Sequence, residues 1–67
     1  MFQVYAAAWD SENCSDRSQI FDSLTQAQEY FSYLKDNPSL MEDCGFDLTL
    51  TEVSSNLTLC ESISLPR

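Results

Sequence analysis

Apolar and polar residues alternate at the start of the chain, as they do in a β-strand. Between Phe2 and Trp9 every second residue falls on one face, and both faces carry apolar side chains. A polar loop with three acidic residues follows over residues 10–16, and residues 17–22 have the composition of a second, shorter strand. The pattern predicts a hairpin whose connecting loop is long and acidic.

The middle of the chain repeats its apolar residues at helical spacing. Ser23 is the candidate N-cap, and Gln26 three residues later completes a capping box. Because Pro38 disfavours the helical conformation at Asn37, the helix is expected to end there. A further single turn begins at Pro38, and Gly45 is expected to end it in a left-handed conformation. The apolar residues of the main helix are Leu24, Ala27, Phe31 and Leu34.

The last third of the chain alternates again and predicts a second hairpin with its turn at residues 54–56. Glu52 and Glu61 fall on the apolar side of their strands. Two interpretations remain open, since the glutamates either lie near sheet edges or follow a bulge that shifts the register. The apolar residues on that side are Phe46, Leu48 and Leu50 before the turn, and Leu57, Leu59, Ile63 and Leu65 after it.

These elements predict a single α+β domain over residues 1–67, in which a four-stranded antiparallel sheet carries one main helix on one face in the order ββαββ. The helix is expected to bury Ala27, Phe31 and Leu34. On the sheet, the expected core residues are Phe2, Val4, Leu48, Leu50, Leu57 and Leu59. The opposite sheet face is expected to show Tyr5, Trp9, Thr49, Thr51, Thr58 and Ser62.

The amino-acid composition excludes several classes of function for this protein. Among 67 residues there are 11 acidic residues, 3 basic residues and no histidine, for a formal net charge of −8. A histidine base, a histidine metal ligand and a basic nucleic-acid-binding surface are therefore excluded. Apolar residues make up 43% of the chain, which is too many for a disordered acidic tail.

Cysteine usage and the N-terminus bear on location. The three cysteines are an odd number without a CxxC spacing, which favours a reduced cytosolic protein; one pair is possible but cannot be assigned. The segment MFQVYAAAWD lacks a basic region, so we expect no signal peptide. No apolar run approaches the length of about 18 residues that spans a membrane.

No motif predicts catalysis or a cofactor. Cys14 and the serines lack the neighbouring base that a nucleophile requires. The loop DSENCSD shares its first acidic positions with a calcium loop, but it lacks the glycine and the terminal bidentate glutamate. We therefore expect a non-enzymatic protein without a metal or cofactor.

Excess negative charge either keeps a small domain soluble or matches a basic partner. Basic protein surfaces are mostly built to hold nucleic acid, so an acidic domain can occupy one in place of DNA. Trp9 and Tyr33 are the candidate apolar anchors for such a contact, although core burial is an equal alternative for Trp9. The acidic candidates are Asp10, Glu12 and Asp16 in the loop, Glu29 and Asp36 on the helix, and Glu42 and Asp43 after it.

The whole-chain profile resembles small phage-encoded inhibitors, and among them anti-CRISPR proteins. The resemblance lies in the helix FDSLTQAQEYFSYL, the strand GFDLTLTEV, the acid excess and the small αβ plan. It implies a protein that blocks target DNA binding by a CRISPR surveillance complex. The alternative is a protein-interaction module that binds a partner unrelated to nucleic acid through its aromatic sheet face. In either case we expect a monomer or a weak homodimer that binds neither nucleic acid nor membrane directly.

Overall fold

The computed structural model describes residues 1–10, 12–41 and 44–65, and places one α-helix over a four-stranded antiparallel sheet. The predicted α+β class and the order ββαββ are confirmed. Across the sheet the strands lie in the order β2-β1-β3-β4. In chain order the elements are β1 (Phe2–Ala8), β2 (Arg17–Phe21), α1 (Leu24–Asp36), a 3-10 turn (Pro38–Met41), β3 (Phe46–Glu52) and β4 (Leu57–Ser64).

The two central strands supply most of the core on the sheet side. Val4 pairs with Leu50 and Ala6 pairs with Leu48, so all four side chains point to the same face. All four are fully buried. The alternation that predicted these strands therefore also identified the face that the helix covers.

Helix α1 packs against β1, β2 and β3. Ala27, Phe31 and Leu34, spaced four and three residues apart, are buried as predicted because this spacing keeps them on one side of the helix. The exposed side of the helix carries polar residues and Tyr33. Among the described residues, the buried cluster contains Val4, Ala6, Ala27, Phe31, Leu34, Met41, Phe46, Leu48 and Leu50.

Strand β4 departs from the predicted core because it contains a bulge. The register with β3 shifts between Leu50, which pairs with Cys60, and Thr51, which pairs with Thr58. Leu59 is the extra residue. A bulge of one residue moves every following side chain to the opposite face.

The structure corrects the predicted placement of three residues of β4. Leu57 and Leu59 are 57% and 41% exposed, because helix α1 packs mainly against β1, β2 and β3 and leaves β4 largely uncovered. Ser62 pairs with Leu48 on the helix side, whereas it was predicted on the open face. Glu61 lies opposite Thr49 on the open face, which selects the bulge interpretation for this glutamate. Phe2, also predicted in the core, is partly buried.

The ends of the helix differ in detail from the predictions. Ser23 is the N-cap, but its side chain makes no capping hydrogen bond, so the predicted capping box is wrong. The helix ends at Asn37 as predicted, where the side-chain Nδ2 donates to the carbonyl of Tyr33 at 2.8 Å. Gly45 has no positive φ, so its predicted left-handed conformation is wrong, and Asn56 takes φ 55° in the β3–β4 turn instead.

Truncation of Leu34, which is fully buried, tests the position of the core. We expect Leu34→Ala to lower the free energy of unfolding by about 2–5 kcal/mol, because it leaves a cavity beneath the helix. The same truncation at Leu57 is the control, and we expect it to change this free energy by less than about 0.5 kcal/mol. Urea denaturation followed by circular dichroism measures both. Equal losses would contradict the placement of β4 outside the core.

Candidate partner-binding surface

The loop that joins β1 to β2 lies at one end of the sheet and carries four of the nine predicted binding residues. Trp9 follows the last residue of β1 and is 48% exposed, so it is a surface residue and not part of the core. Asp10, Glu12 and Asp16 are all exposed. The three loop acids and the candidate aromatic anchor therefore all lie exposed on one loop, and this group is called the loop patch below.

Asp10 shapes the first half of the loop. Its backbone carbonyl accepts the N–H of Cys14 at 2.8 Å, and its carboxylate accepts the side-chain Nδ2 of Asn13 at 2.8 Å. Aspartate commonly stabilises turns through such bonds to the residues that follow it. The bond from the Asn13 side chain, with weaker bonds from backbone N–H groups, holds the pKa of Asp10 below its usual value. The carboxylate thus remains charged while it organises the turn.

Asp16 fastens the end of the loop to the sheet. One carboxylate oxygen accepts the hydroxyl of Tyr5, and the other accepts the backbone N–H of Ala8 at 2.8 Å. The Tyr5 bond and then the Ala8 bond lower the pKa of Asp16, because both stabilise the ionised carboxylate. The same hydroxyl bond raises the pKa of Tyr5. Asp16 therefore has a structural role in addition to its charge.

A disulfide holds the loop from the other side. Cys14 and Cys44 are bonded, with their Cα atoms 6.7 Å apart and their positions 30 apart in the sequence. The expectation of a fully reduced protein is therefore wrong for this pair, and the pair that the sequence left unassigned is 14–44. Cys60 is a free, partly buried cysteine. The disulfide joins the acidic loop to the segment that precedes β3.

A cleft of about 310 Å³ lies between the loop and the 3-10 turn. Arg17 spans it, with Nη2 donating to the carbonyl of Leu40 at 3.3 Å. In the part of the chain that the structure describes, no group of three His, Cys, Asp or Glu side chains is arranged to hold a metal ion. The cleft is lined by Asn13, Cys14, Ser15, Asp16, Arg17, Leu40 and Met41.

The exposed side of α1 forms a second group, the helix patch. Glu29, Tyr33 and Asp36 are spaced four and three residues apart, so they follow one line along the helix, and all are exposed. Tyr33 is 52% exposed, and its ring centroid lies 6.5 Å from that of Tyr30. Tyr30 in turn contacts Phe21, with centroids 5.4 Å apart. The exposed ring is thus supported by aromatic residues that reach back to β2.

The two patches are separate, but they approach each other at one end. The helix begins after β2 ends, and the turn that follows the helix bonds to Arg17, the first residue of β2. The helix therefore runs back toward the loop, and Asp36 is its acid nearest the loop. Glu29 lies about 10 Å further along the helix axis. Glu42 and Asp43 lie outside the described residues and directly precede Cys44 in the sequence.

The bond between Tyr5 and Asp16 was not predicted from the sequence. Tyr5 was expected to be an unbonded aromatic residue on the open face and Asp16 an unbonded charge, but the Tyr5 hydroxyl donates to the Asp16 carboxylate. The two residues are 11 positions apart across a loop, and no periodicity predicts such a contact. The alternation of residues along β1 did predict the face of the sheet on which Tyr5 lies, which is the face away from the helix.

Comparison with known proteins adds no relative. No protein-family model matches the chain, and searches of curated proteins and solved structures give no significant match. Within the described residues, no helix has both the length and the apolar character needed to cross a membrane.

The substitution Tyr5→Phe removes only the hydroxyl oxygen of Tyr5 and therefore tests its bond to Asp16. The lowered pKa of Asp16 stabilises the fold above the usual value of 3.8, and this contribution is lost as pH falls. The raised pKa of Tyr5 stabilises the fold below 10.0, and this contribution is lost as pH rises. We therefore expect Tyr5→Phe to lower the melting temperature most between these two values and less at either extreme.

Thermal unfolding across a pH series measures this difference. Tyr33→Phe is the matched control, because it removes the same oxygen from an exposed position on the helix; its effect should be small and independent of pH. A Tyr5→Phe effect that is equally flat would contradict the bond.

Removal of the disulfide tests how strongly it holds the loop. We expect the double variant Cys14→Ser, Cys44→Ser to lose about 3–4 kcal/mol of unfolding free energy, since a cross-link that closes a loop of this length restricts the unfolded chain. Cys60→Ser, which leaves the cross-link intact, is the control and should lose less. Denaturant unfolding without reductant measures both, and equal losses would contradict a stabilising cross-link.

Proposed function

We propose that this protein is a non-enzymatic acidic inhibitor that binds the basic, DNA-accepting surface of a CRISPR interference complex and blocks target DNA. The supporting observation is the loop patch, in which Asp10, Glu12 and Asp16 lie exposed on one loop beside Trp9. The type of partner rests on the charge and on the resemblance to anti-CRISPR proteins. The partner's binding site for duplex DNA supplies the complementary charge.

The average charge density of the molecule is too low to imitate DNA. Eight net charges along its longest dimension of 32 Å correspond to about one charge per 4 Å. Duplex DNA carries about one charge per 1.7 Å of its axis. Mimicry therefore requires the acids to lie close together on one part of the surface. The loop patch is such a local concentration, and Asp36 extends it toward the helix.

The loop is held in position before binding. The bonds of Asp10 and Asp16 fix its two ends. A preorganised loop loses less conformational entropy when a partner binds, so more of the interaction energy contributes to affinity. Trp9 supplies the half-exposed aromatic side chain that commonly anchors the centre of an interface. Charge then guides the encounter, and the tryptophan contributes the apolar contact.

The proposed place of action is the bacterial cytoplasm, where thiols are kept reduced. The loop must then keep its shape without the Cys14–Cys44 bond. The side-chain bonds of Asp10 and Asp16 supply that order, because their partners are Asn13, Tyr5 and Ala8 and not the cross-linked cysteines. In an oxidising environment the disulfide adds to the same constraint.

The helix patch supplies a second contact in this proposal. Glu29, Tyr33 and Asp36 repeat the combination of acids around an exposed aromatic ring. Glu42 and Asp43 remain sequence-based candidates next to the cross-linked Cys44. A partner that covers the end of the sheet contacts the loop first and the C-terminal end of α1 second.

Neutralisation of the loop acids tests the proposal. We expect the triple variant Asp10→Asn, Glu12→Gln, Asp16→Asn to weaken inhibition by a factor on the order of 100, because three charges facing a basic surface are lost. The amides retain a side-chain oxygen that can accept the bonds of the loop. The measurement is target-duplex binding by purified multi-subunit interference complexes, by gel shift, at increasing amounts of each variant.

The matched control is Asp22→Asn, Asp47→Asn, Glu61→Gln, which removes the same charge from exposed positions outside both patches. It should inhibit almost as well as the unmodified protein, and circular dichroism should show both triple variants folded. Equal inhibition by the two triple variants would contradict a role for the loop patch. The unmodified protein should also dissociate from the interference complex as the salt concentration rises, since added ions screen exposed charges.

The alternative function uses the open sheet face and a partner unrelated to nucleic acid. Exposed Ile20 and Ile63 lie on this face, at opposite edges of the sheet. A module of this kind would not compete with the target duplex, so the unmodified protein should leave the gel shift of the interference complex unchanged. The same measurement therefore separates the two functions.

A further inference from the structure

In the part of the chain that the structure describes, the outer edge of β4 has no neighbouring strand, and exposed apolar residues lie along the strand and just beyond its end. Leu59, Ile63 and Leu65 are 41%, 66% and 75% exposed. Exposed edges present unpaired N–H and C=O groups, and proteins commonly block them with lysine, proline or a bulge. Strand β4 contains neither lysine nor proline, and its bulge precedes Cys60. Residues 60–64 therefore form a regular edge without these protections.

Backbone hydrogen bonds show which groups of β4 point outward. Trp9 N–H donates to the carbonyl of Gly45 at 2.9 Å, so the odd-numbered residues of β3 bond to β1. Antiparallel strands alternate the side to which successive residues bond. The even-numbered residues of β3 therefore bond to the even-numbered residues of 60–64. The N–H and C=O groups of Glu61 and Ile63 are left pointing at the free edge.

We propose that β4 pairs with β4 of a second copy of this chain, antiparallel about a two-fold axis at Ser62, to form a homodimer with a continuous eight-stranded sheet. In this register Ser62 faces its own copy, and Glu61 faces Ile63 of the second copy. Each of these two pairs of Glu61 and Ile63 exchanges two backbone hydrogen bonds.

Charge and strand regularity select this register over its neighbours. An axis at Glu61 would place two carboxylates directly opposite each other, which is unfavourable. An axis at Cys60 would bring the bulged Leu59 into the ladder next to the axis. An axis at Ile63 would extend the pairing beyond Ser64, where the strand ends. The axis at Ser62 keeps the pairing of residues 60–64 inside the regular strand.

The negative charge of each copy is compatible with this arrangement. Glu61 is the single charged residue of β4. The loop patch lies at the end of β1, and the two-fold axis places the two loop patches at opposite ends of the joined sheet. The two β1 strands are five strand spacings apart, or about 24 Å. That distance exceeds the screening length of about 8 Å at physiological salt, so repulsion between the patches is weak.

The dimer is expected to be weak. One strand edge covers less than the roughly 800 Å² per partner of a standard interface, so dissociation in the micromolar range is expected. Sedimentation velocity from low micromolar to near-millimolar concentration should show the mass rise from 7.6 kDa toward twice that value. Ile63→Glu should remain a monomer throughout, because it places a second carboxylate directly opposite Glu61 of the other copy.

Ile20→Glu is the matched control. Ile20 is 47% exposed on the same sheet face but lies on β2, at the opposite edge. This variant should dimerise like the unmodified protein, and circular dichroism should show both glutamate variants folded. A protein that stays monomeric at every concentration, or a dimer that Ile63→Glu leaves intact, would overturn the proposal.

A designed cross-link tests the register. In the background Cys60→Ser, Ser62→Cys places two thiols opposite each other with Cα atoms about 4.5 Å apart, which a disulfide can bridge. Mild oxidation should then give a covalent dimer on a non-reducing gel. Ser18→Cys in the same background, on the β2 edge, should not. Cross-linking that is equal for both variants, or absent from the β4 variant, would overturn pairing about Ser62.

Discussion

The structure depends on one constraint, which is that a single short helix must cover a four-stranded sheet. A helix is about 10 Å wide and strands lie about 4.8 Å apart, so one helix covers two or three strands. Helix α1 lies over β1, β3 and β2, and buries the side chains of the two central strands. Strand β4 is left outside the helix. The apolar residues of β4 are exposed because helix α1 is too narrow to cover the fourth strand.

The described residues of the acidic loop contribute nothing to the hydrophobic cluster beneath the helix, so other interactions must order the loop. Its acids accept hydrogen bonds from neighbouring groups: Asp10 within the loop, and Asp16 from Tyr5 and Ala8 on the sheet. The cross-link between Cys14 and Cys44 acts on the same segment. Residues that carry charge to the surface thus also position the loop, which is why neutral amides, and not alanines, separate the two roles.

Much of the fold was predictable because alternation and helical spacing report which side of an element is buried. Val4, Leu48 and Leu34 were assigned to the core on that ground, and all are fully buried. Leu57 and Leu59 had equally apolar patterns but lie exposed, because local spacing carries no information about how far the helix extends across the sheet. The loop patch was predictable as a segment, whereas the bond that joins Asp16 to Tyr5 was not.

The sequence by itself determined the order of elements, the face of each central strand and the negative charge, since these depend on residue type and local spacing. Tertiary structure decided the disulfide partners, the role of Asp16 and the face of every residue after the bulge in β4. These depend on contacts between residues distant in the chain and on a register that a single extra residue reverses. Such contacts and such a register exist only once distant parts of the chain have come together in the folded structure.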